Sequence, residues 1–320
     1  EIDIQPVHES VLESVQALEG QVDVLVALTH LGLDDDVRLA QAVPALDLII
    51  GGHTHTRLVE PKKIGDTWIV HAGEYAQFMG VSTVVPNGDG TIELSYRLES
   101  PAAQGRLQPR RQVRSFVEAW GRLLNADWGI SVGSSTVALG REGVGDVPLG
   151  RFVGTALRET AGADIAITNL TGLRADIEPG VVSREDLYNV FPFGNEVVVV
   201  DVAATDLVGL AIRNATAAMD PHRARGMQQS GLEYVWRERM ASPELVRIGV
   251  GGTALAFDKT YTVATSSYVW TNWERFLGTR PEGEARGTGK TMLESVETWM
   301  RANSPVTEVP KSSATYVEGG

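Results

Sequence analysis

The sequence predicts an α/β (α+β) fold divided between two domains, and three features carry that prediction. Apolar runs such as Val24-Leu25-Val26-Ala27-Leu28 and Asp47-Leu48-Ile49-Ile50 stop at polar, glycine-flanked turns, as central strands do when they deliver side chains to the carboxyl edge of a sheet. Between and after these runs lie stretches with apolar residues every three or four positions, the period of a helix with one buried face. The length of 320 residues is long for one domain, and Ser100-Pro101-Ala102-Ala103-Gln104-Gly105 reads as a break between two.

The elements follow in order. Pro6 precedes Val11, Leu12, Val15 and Leu18, whose spacing predicts an amphipathic helix. Residues 22–29 form the first strand, with His30 at its end. Asp34-Asp35-Asp36 opens a helix running to about Val43, where acidic side chains suit the positive end of the helix dipole. A cation site there is the weaker reading, because no other ligand type stands beside the run. Residues 46–50 form the second strand and lead into Gly51-Gly52-His53-Thr54-His55. Strands follow over 67–72 and 81–86, then the turn residues Asn87-Gly88-Asp89-Gly90 and a returning strand over 91–98. Such close succession suggests the edge of a β-sandwich.

A helix over about 110–126 carries Val113, Val117, Trp120 and Leu124 on one stripe, with Phe116 beside it. From Ser131 a second α/β pattern begins. It predicts helices over 149–161, 205–218 and 288–302, strands over 164–168, 195–202, 244–250 and 260–266, and an extended or frayed 303–320.

Composition narrows the function. Hydrophobic residues at 43% and charged residues at 22% are ordinary for a globular protein. A net charge of −13 argues against nucleic acid as a partner, since such a surface would be basic. The chain has no cysteine, so a metal would be held by nitrogen and oxygen ligands, which admit zinc, manganese, iron or cobalt. No apolar run reaches the roughly 18 residues of a transmembrane helix, and no signal peptide is visible. The opening Glu1-Ile2-Asp3-Ile4 starts as if inside a domain, which reads as a piece of a longer protein. Oligomeric state is not set by the sequence.

Three of the six histidines, His30, His53 and His55, stand at two successive strand ends. One histidine after a strand is ordinarily a surface residue. Three at adjacent strand ends, in a glycine-flanked His-x-His turn, point to metal ligation.

Thr29-His30-Leu31-Gly32 and Asp47 through Thr56 (D-L-I-I-G-G-H-T-H-T) resemble the second half of the calcineurin-like metallophosphoesterase domain of 5'-nucleotidases. His71-Ala72-Gly73-Glu74-Tyr75, Gly162 through Asn169, Gly172 through Ile177, and Phe191-Pro192-Phe193-Gly194-Asn195 continue the resemblance in the family's order. It implies the C-terminal part of a metallophosphoesterase β-sandwich over 1–104, a linker helix over 105–128, and a separate α/β 5'-nucleotidase substrate-binding domain over 129–320. It also implies a two-metal hydrolase of a small-molecule nucleotide, periplasmic or at the cell surface, with two divalent ions, zinc or manganese, in the full-length protein.

By that resemblance His30 and His53 serve one metal and His55 the other. The family's Asp-x-His pair, bridging Asp and Gly-Asn-His turn with its catalytic histidine are absent from this sequence, so the chain alone is expected to be inactive. His8 is no substitute, His71 is a supporting residue or an ordinary sheet-end histidine, and His222 is a loop residue. The family's Asn-Gly-Gly-Gly-Ile-Arg turn reads Asn169-Leu170-Thr171-Gly172-Leu173-Arg174 here. Asn169 and Arg174 match substrate contacts, and Leu170 and Thr171 would alter the backbone's approach to a ligand. Phe193 and Phe276 match the aromatic pair around the base, against the plainer reading of core packing. Glu282 stands where a ribose-binding carboxylate would fall, and Arg141 is a phosphate contact at shifted spacing. Two other readings stay open: a thiosulfohydrolase-like enzyme of the same fold acting on a carrier-bound sulfur substrate, and a non-catalytic binding module.

Overall fold

The computed structural model describes residues 5–18, 20–100, 110–219 and 226–318. The chain divides into two compact units, Glu1–Arg114 and Ser115–Gly320. The expected boundary near residue 104 and His222 lie outside the described residues.

In the first unit, α1 (Val7–Leu18) precedes β1 (Val26–Leu28), α2 (Leu33–Ala42), β2 (Leu48–Gly51), β3 (Lys62–Ile64) and β4 (Thr67–His71). The hairpin β5 (Met79–Pro86) and β6 (Ile92–Glu99) follows. β1, β2 and β4 run parallel, with Val26 opposite Leu48 and Leu48 opposite Trp68, and β3 adds antiparallel to β4. Alternation sorts the side chains of this sheet. Ile49 and Ile69 face α2 and pack on Leu39, Ala40 and Val43, with Val11 and Val15 of α1 against the same cluster. Leu48 and Val70 face the other way and meet Ile92, Leu94 and Tyr96 of the hairpin.

β1 is shorter than the residues 22–29 expected. The Leu25 N–H is taken by Asp47 Oδ2 at 2.7 Å, so a side chain replaces the ladder bond there. β1 is also the edge of its sheet, and Leu28, in register with Ile50 and Val70, is 84% exposed.

Helix α3 (Arg111–Trp128) leads into the second unit, followed by β7 (Ser131–Ser135), α4 (Pro148–Ala161), β8 (Ile165–Thr168), β9 (Gly180–Ser183) and α5 (Arg184–Val190). Then come β10 (Glu196–Ala203), α6 (Ala204–Met219), β11 (Gln228–Ser230), β12 (Leu232–Arg239), β13 (Ser242–Val250) and β14 (Thr253–Ala254). β15 (Thr260–Ser266), α7 (Ser267–Thr271), α8 (Trp273–Leu277), β16 (Arg286–Thr291), α9 (Met292–Asn303) and β17 (Ala314–Tyr316) complete it.

The central sheet has the order β11-β8-β15-β10-β16, with β8 and β15 parallel and the other neighbours antiparallel. Ala166, Val197 and Ala264 on one face pack with α4 and α9 through Phe152, Leu157, Val296 and Met300. Ile165, Ile167 and Val200 on the other pack with α6 and with the β14-β13-β12-β17 sheet through Leu207, Leu210, Leu232 and Trp236.

Residues 303–318 are tied down rather than frayed. Val306 bridges to Ser135, Asp146 accepts from Ser312 Oγ at 2.8 Å and from Ser313 N–H at 2.9 Å, and β17 pairs parallel with β12. The Tyr316 ring stands edge-on to Trp236 at 4.9 Å.

Candidate functional site

Parallel strands end together, and those of the first unit set their following residues side by side. Thr29 N–H donates to the Ile50 carbonyl at 3.0 Å, so His30 leaves β1 beside the turn that follows β2. The His30 and His53 rings meet edge to face with centroids 5.1 Å apart. His53 and His55 both hold left-handed backbone, φ 82° and 56°, which costs a non-glycine residue on the order of 1 kcal/mol each. The turn is fastened to the start of α2, where Leu33 N–H donates to Thr54 Oγ1 at 3.3 Å. His55 Nδ1 bears on Glu74 Oε2, and its ring stands 5.6 Å from Tyr75.

The three imidazoles are exposed. Among the described residues no group of three or more His, Cys, Asp or Glu side chains converges to hold a metal ion. The residues present therefore fit part of a donor set: two imidazoles at one place and a third on the same turn.

Beneath the turn lies a buried pair. Asp36 is fully buried, its Oδ2 lies 2.7 Å from His71 Nε2, and its Oδ1 accepts from Thr29 Oγ1 at 2.7 Å. A Cβ at Gly51 would stand 2.1 Å from both Asp36 Oδ2 and His71 Nε2, so glycine is required for the strand end to rest on the pair. His71 Nδ1 is buried and has no hydrogen-bond partner among the described residues. The Tyr96 hydroxyl donates to the His71 carbonyl at 3.4 Å, and burial holds its phenol above the ordinary value.

The triple aspartate thus splits its roles. Asp34 and Asp35 sit exposed in the first turn of α2, with Asp35 on Arg38 at 2.6 Å, and Asp36 turns inward. The signal for Asp36 was its place three and four residues before buried Leu39 and Ala40, on the apolar stripe of the helix.

In the second unit Asn169 follows β8 at its carboxyl end, nearly buried, and donates from its amide to Thr171 Oγ1 at 2.8 Å. Leu170, which replaces a family glycine, opens a 3-10 turn that sends its side chain into the core, so it does not crowd the outer surface. Arg174 donates to the Thr171 carbonyl at 3.2 Å, and its guanidinium carbon lies 5.9 Å from the centre of the Phe193 ring. Arg141 donates to Asp176 Oδ1 at 2.8 Å and to the Leu173 carbonyl at 3.4 Å.

Asn169, Arg174, Arg141 and Phe193 therefore gather around the loop 169–176. Phe193 is 58% exposed at the lip of a small cleft lined also by Gly172, Phe191, Asn195 and Met292. Asn195 was passed over in the sequence, although it closes the Phe-Pro-Phe-Gly-Asn run. Phe276 lies apart: half-buried on α8, it packs against the second core cluster with its ring 6.0 Å from Tyr268. Glu282 is exposed, and no contact joins either to Phe193 among the described residues.

A parallel sheet with imidazoles along its carboxyl edge, followed in the chain by a mixed α/β domain presenting an Arg–Phe pair, makes this a two-unit α/β protein. The sequence model for the 5'-nucleotidase C-terminal domain matches residues 131–279, within the second unit.

The chain is 29% identical over 281 residues to the trifunctional nucleotide phosphoesterase protein YfkN of Bacillus subtilis, a match covering 82% of this chain and 19% of that one. The 5'-nucleotidase precursor of Thermus thermophilus superposes with a TM-score of 0.76 at 23% identity, over 98% of this chain and 68% of that one. The sulfate thiohydrolase SoxB of the same organism superposes at 0.72 and 18% identity, over 98% and 58%. These two likenesses concern the fold, and they span proteins with different substrates. No helix among the described residues is long and apolar enough to cross a membrane.

Proposed function

We propose that the chain carries the C-terminal part of a metal-dependent hydrolase of the 5'-nucleotidase type, which splits the phosphoester of a small-molecule nucleotide. The observation that carries the reading is the His30–His53 juxtaposition, on a turn whose His53 and His55 keep a costly left-handed backbone. Backbone held against its preference clusters at functional sites.

His30 and His53 would hold one divalent ion and His55 the other, with zinc or manganese as the metals. Such ions, when bound, lower the pKa of water and neutralise charge on the phosphoryl oxygens. Glu74 against His55 Nδ1 would fix that ring and leave Nε2 for ligation. In the second unit the exposed face of Phe193 would stack on the nucleobase. Arg174 beside it meets negative charge, and Asn169 and Arg141 frame the loop.

β1 supports the rest of the proposal. Parallel sheets bury both faces, yet Val26 and Leu28 are 48% and 84% exposed on the face that is buried further in at Leu48 and Val70. Residues beyond those described would cover this edge and bring the carboxylates that the histidines lack. Residues 1–104 would then complete a phosphoesterase domain, 105–128 link it, and 129–320 bind substrate. A periplasmic or cell-surface location belongs to the same proposal.

The test is phosphate release from AMP by the whole protein with added manganese or zinc. His53→Ala should lower turnover by ~100-fold or more, as loss of a metal ligand does, and a chelator should abolish it. Undiminished turnover in His53→Ala would refute the assignment.

A further inference from the structure

A groove on the second unit carries the opposite charge from the chain around it. Acidic side chains outnumber basic ones 41 to 28 in the sequence. Yet the charged residues lining this groove of about 450 Å³ are Arg158, Arg247 and Lys311 against Glu233 alone. Its walls are the end of α4, the outer face of the β13-β12-β17 ladder and the segment leading into β17.

Arg247 stands opposite Val235, and Val235 opposite Thr315, so the three share one sheet face. Among the described residues neither Arg247 nor Lys311 has a hydrogen-bond or ion-pair partner. Two such cations facing one concave surface raise the local potential for an anion.

Arg158 is built into the wall. Its Nε donates to Ser230 Oγ at 3.2 Å, Ser230 Oγ lies 3.2 Å from Thr155 Oγ1, and its Nη2 donates to Glu159 at 3.0 Å. Gly231, at φ +91°, makes room for the arginine stem: a Cβ there would stand 2.8 Å from Arg158 Cδ and 2.3 Å from the Asp164 carbonyl. On the far side Asp146 fixes Ser312 and Ser313. A guanidinium, a second guanidinium and an ammonium in one hollow match a tetrahedral oxyanion.

The groove is not the cleft at Phe193. Ser230 pairs with Ala166 while Gln228 pairs with Thr168, so Gly231 opens at the amino end of β8, and Asn169 follows its carboxyl end. From this placement we infer a second ligand site on the substrate domain, an oxyanion groove that takes the phosphate group of inorganic phosphate or of a small phosphomonoester.

The test titrates inorganic phosphate, and separately glycerol 1-phosphate, into the full chain at constant ionic strength, following backbone amide resonances. Saturable shifts should appear at Gly231, Ser313 and Thr315. The double variant Arg247→Ala/Lys311→Ala should weaken binding at least ~10-fold, the scale of one good charged contact. Glu233→Gln, which removes the opposing carboxylate and keeps the shape, should tighten it.

Equal affinity for both probes would assign the site to free phosphate, and tighter binding of the ester to a phosphomonoester. Three results would overturn the inference: shifts that sodium chloride reproduces, shifts confined to Phe193 and Asn169, or an unchanged dissociation constant in the double variant with its spectrum otherwise intact.

Discussion

Asp36→Ala takes the acceptor from a buried and a part-buried donor at once. His71 Nε2 and Thr29 Oγ1 each lie 2.7 Å from the Asp36 carboxyl; the His71 side chain, 1% exposed, would be stranded, while the Thr29 hydroxyl is only part-buried. An orphaned buried polar group costs about 1–3 kcal/mol, which is the cost expected from stranding His71 alone, with a smaller addition from the part-buried Thr29 hydroxyl. That is a large fraction of the roughly 5–15 kcal/mol that holds a domain folded. Gly51 rests directly on the pair, so the loss reaches the turn that carries His53.

A single melting midpoint is a poor readout for a chain of two units. Hydrogen exchange resolved by peptide is the suitable assay. In Asp36→Ala, peptides covering 33–42, 48–56 and 67–71 should exchange roughly 30-fold faster or more, the equivalent of 2 kcal/mol. Peptides from β8 and β15 should be unchanged, and Asp36→Asn, which keeps one acceptor oxygen, should fall between. Wild-type protection across 48–71, or equal loss in both units, would refute the reasoning.

The other predictions use the second unit. Phe193→Ala should weaken adenosine binding by about 1–3 kcal/mol, the worth of one base–aromatic stack; calorimetry giving an unchanged dissociation constant would remove Phe193 from the site. Glu294 caps α9, where hydrogen bonds from the Thr291 N–H and hydroxyl hold its carboxyl below the usual carboxylate range. A depressed folded-state value means that this stabilisation is full above the unfolded-state value and is lost as the pH falls through the folded one. Glu294→Gln should therefore lower the midpoint of the second unit's own unfolding transition slightly at neutral pH, by an exposed cap's worth of at most ~1 kcal/mol, and the shortfall against wild type should shrink as acid is added. An identical acid sensitivity in wild type and variant would contradict this.

The carboxyl edge of the first unit was legible because parallel strands write themselves as unbroken apolar runs, and Thr29-His30 and Gly51-Gly52-His53 end two such runs abruptly. Asp36 was harder. A run of three aspartates at a helix start satisfies the dipole by itself, and its real partner, His71, lies 35 residues away. Pairing over that distance leaves no local pattern.

β17 was invisible for a related reason. Three residues carry almost no propensity, and Ala314-Thr315-Tyr316 becomes a strand only because β12 supplies the register. β12 itself alternates buried Leu232, Tyr234 and Trp236 with outward residues, a period of two that could have been read. Phe276 shows another limit: stacking face and core packing ask for the same residue, and the sequence does not show that it stands half-buried beside Tyr268 against the core.

The stitching of residues 304–316 back onto the beginning of the second unit has a consequence for how the chain is made. Ser134 N–H donates to Ser304 Oγ, Thr136 N–H to the Val306 carbonyl, and Asp146 holds Ser312 and Ser313, so residues synthesised first in this unit receive partners synthesised last. During translation β7 and β12 wait with open edges while some 170 positions separate Ser134 from its closing serine. Such a delay exposes apolar edges to neighbouring chains. A ribosome that stalls before residue 304 therefore releases not a slightly shortened domain but one whose first and last layers were never joined.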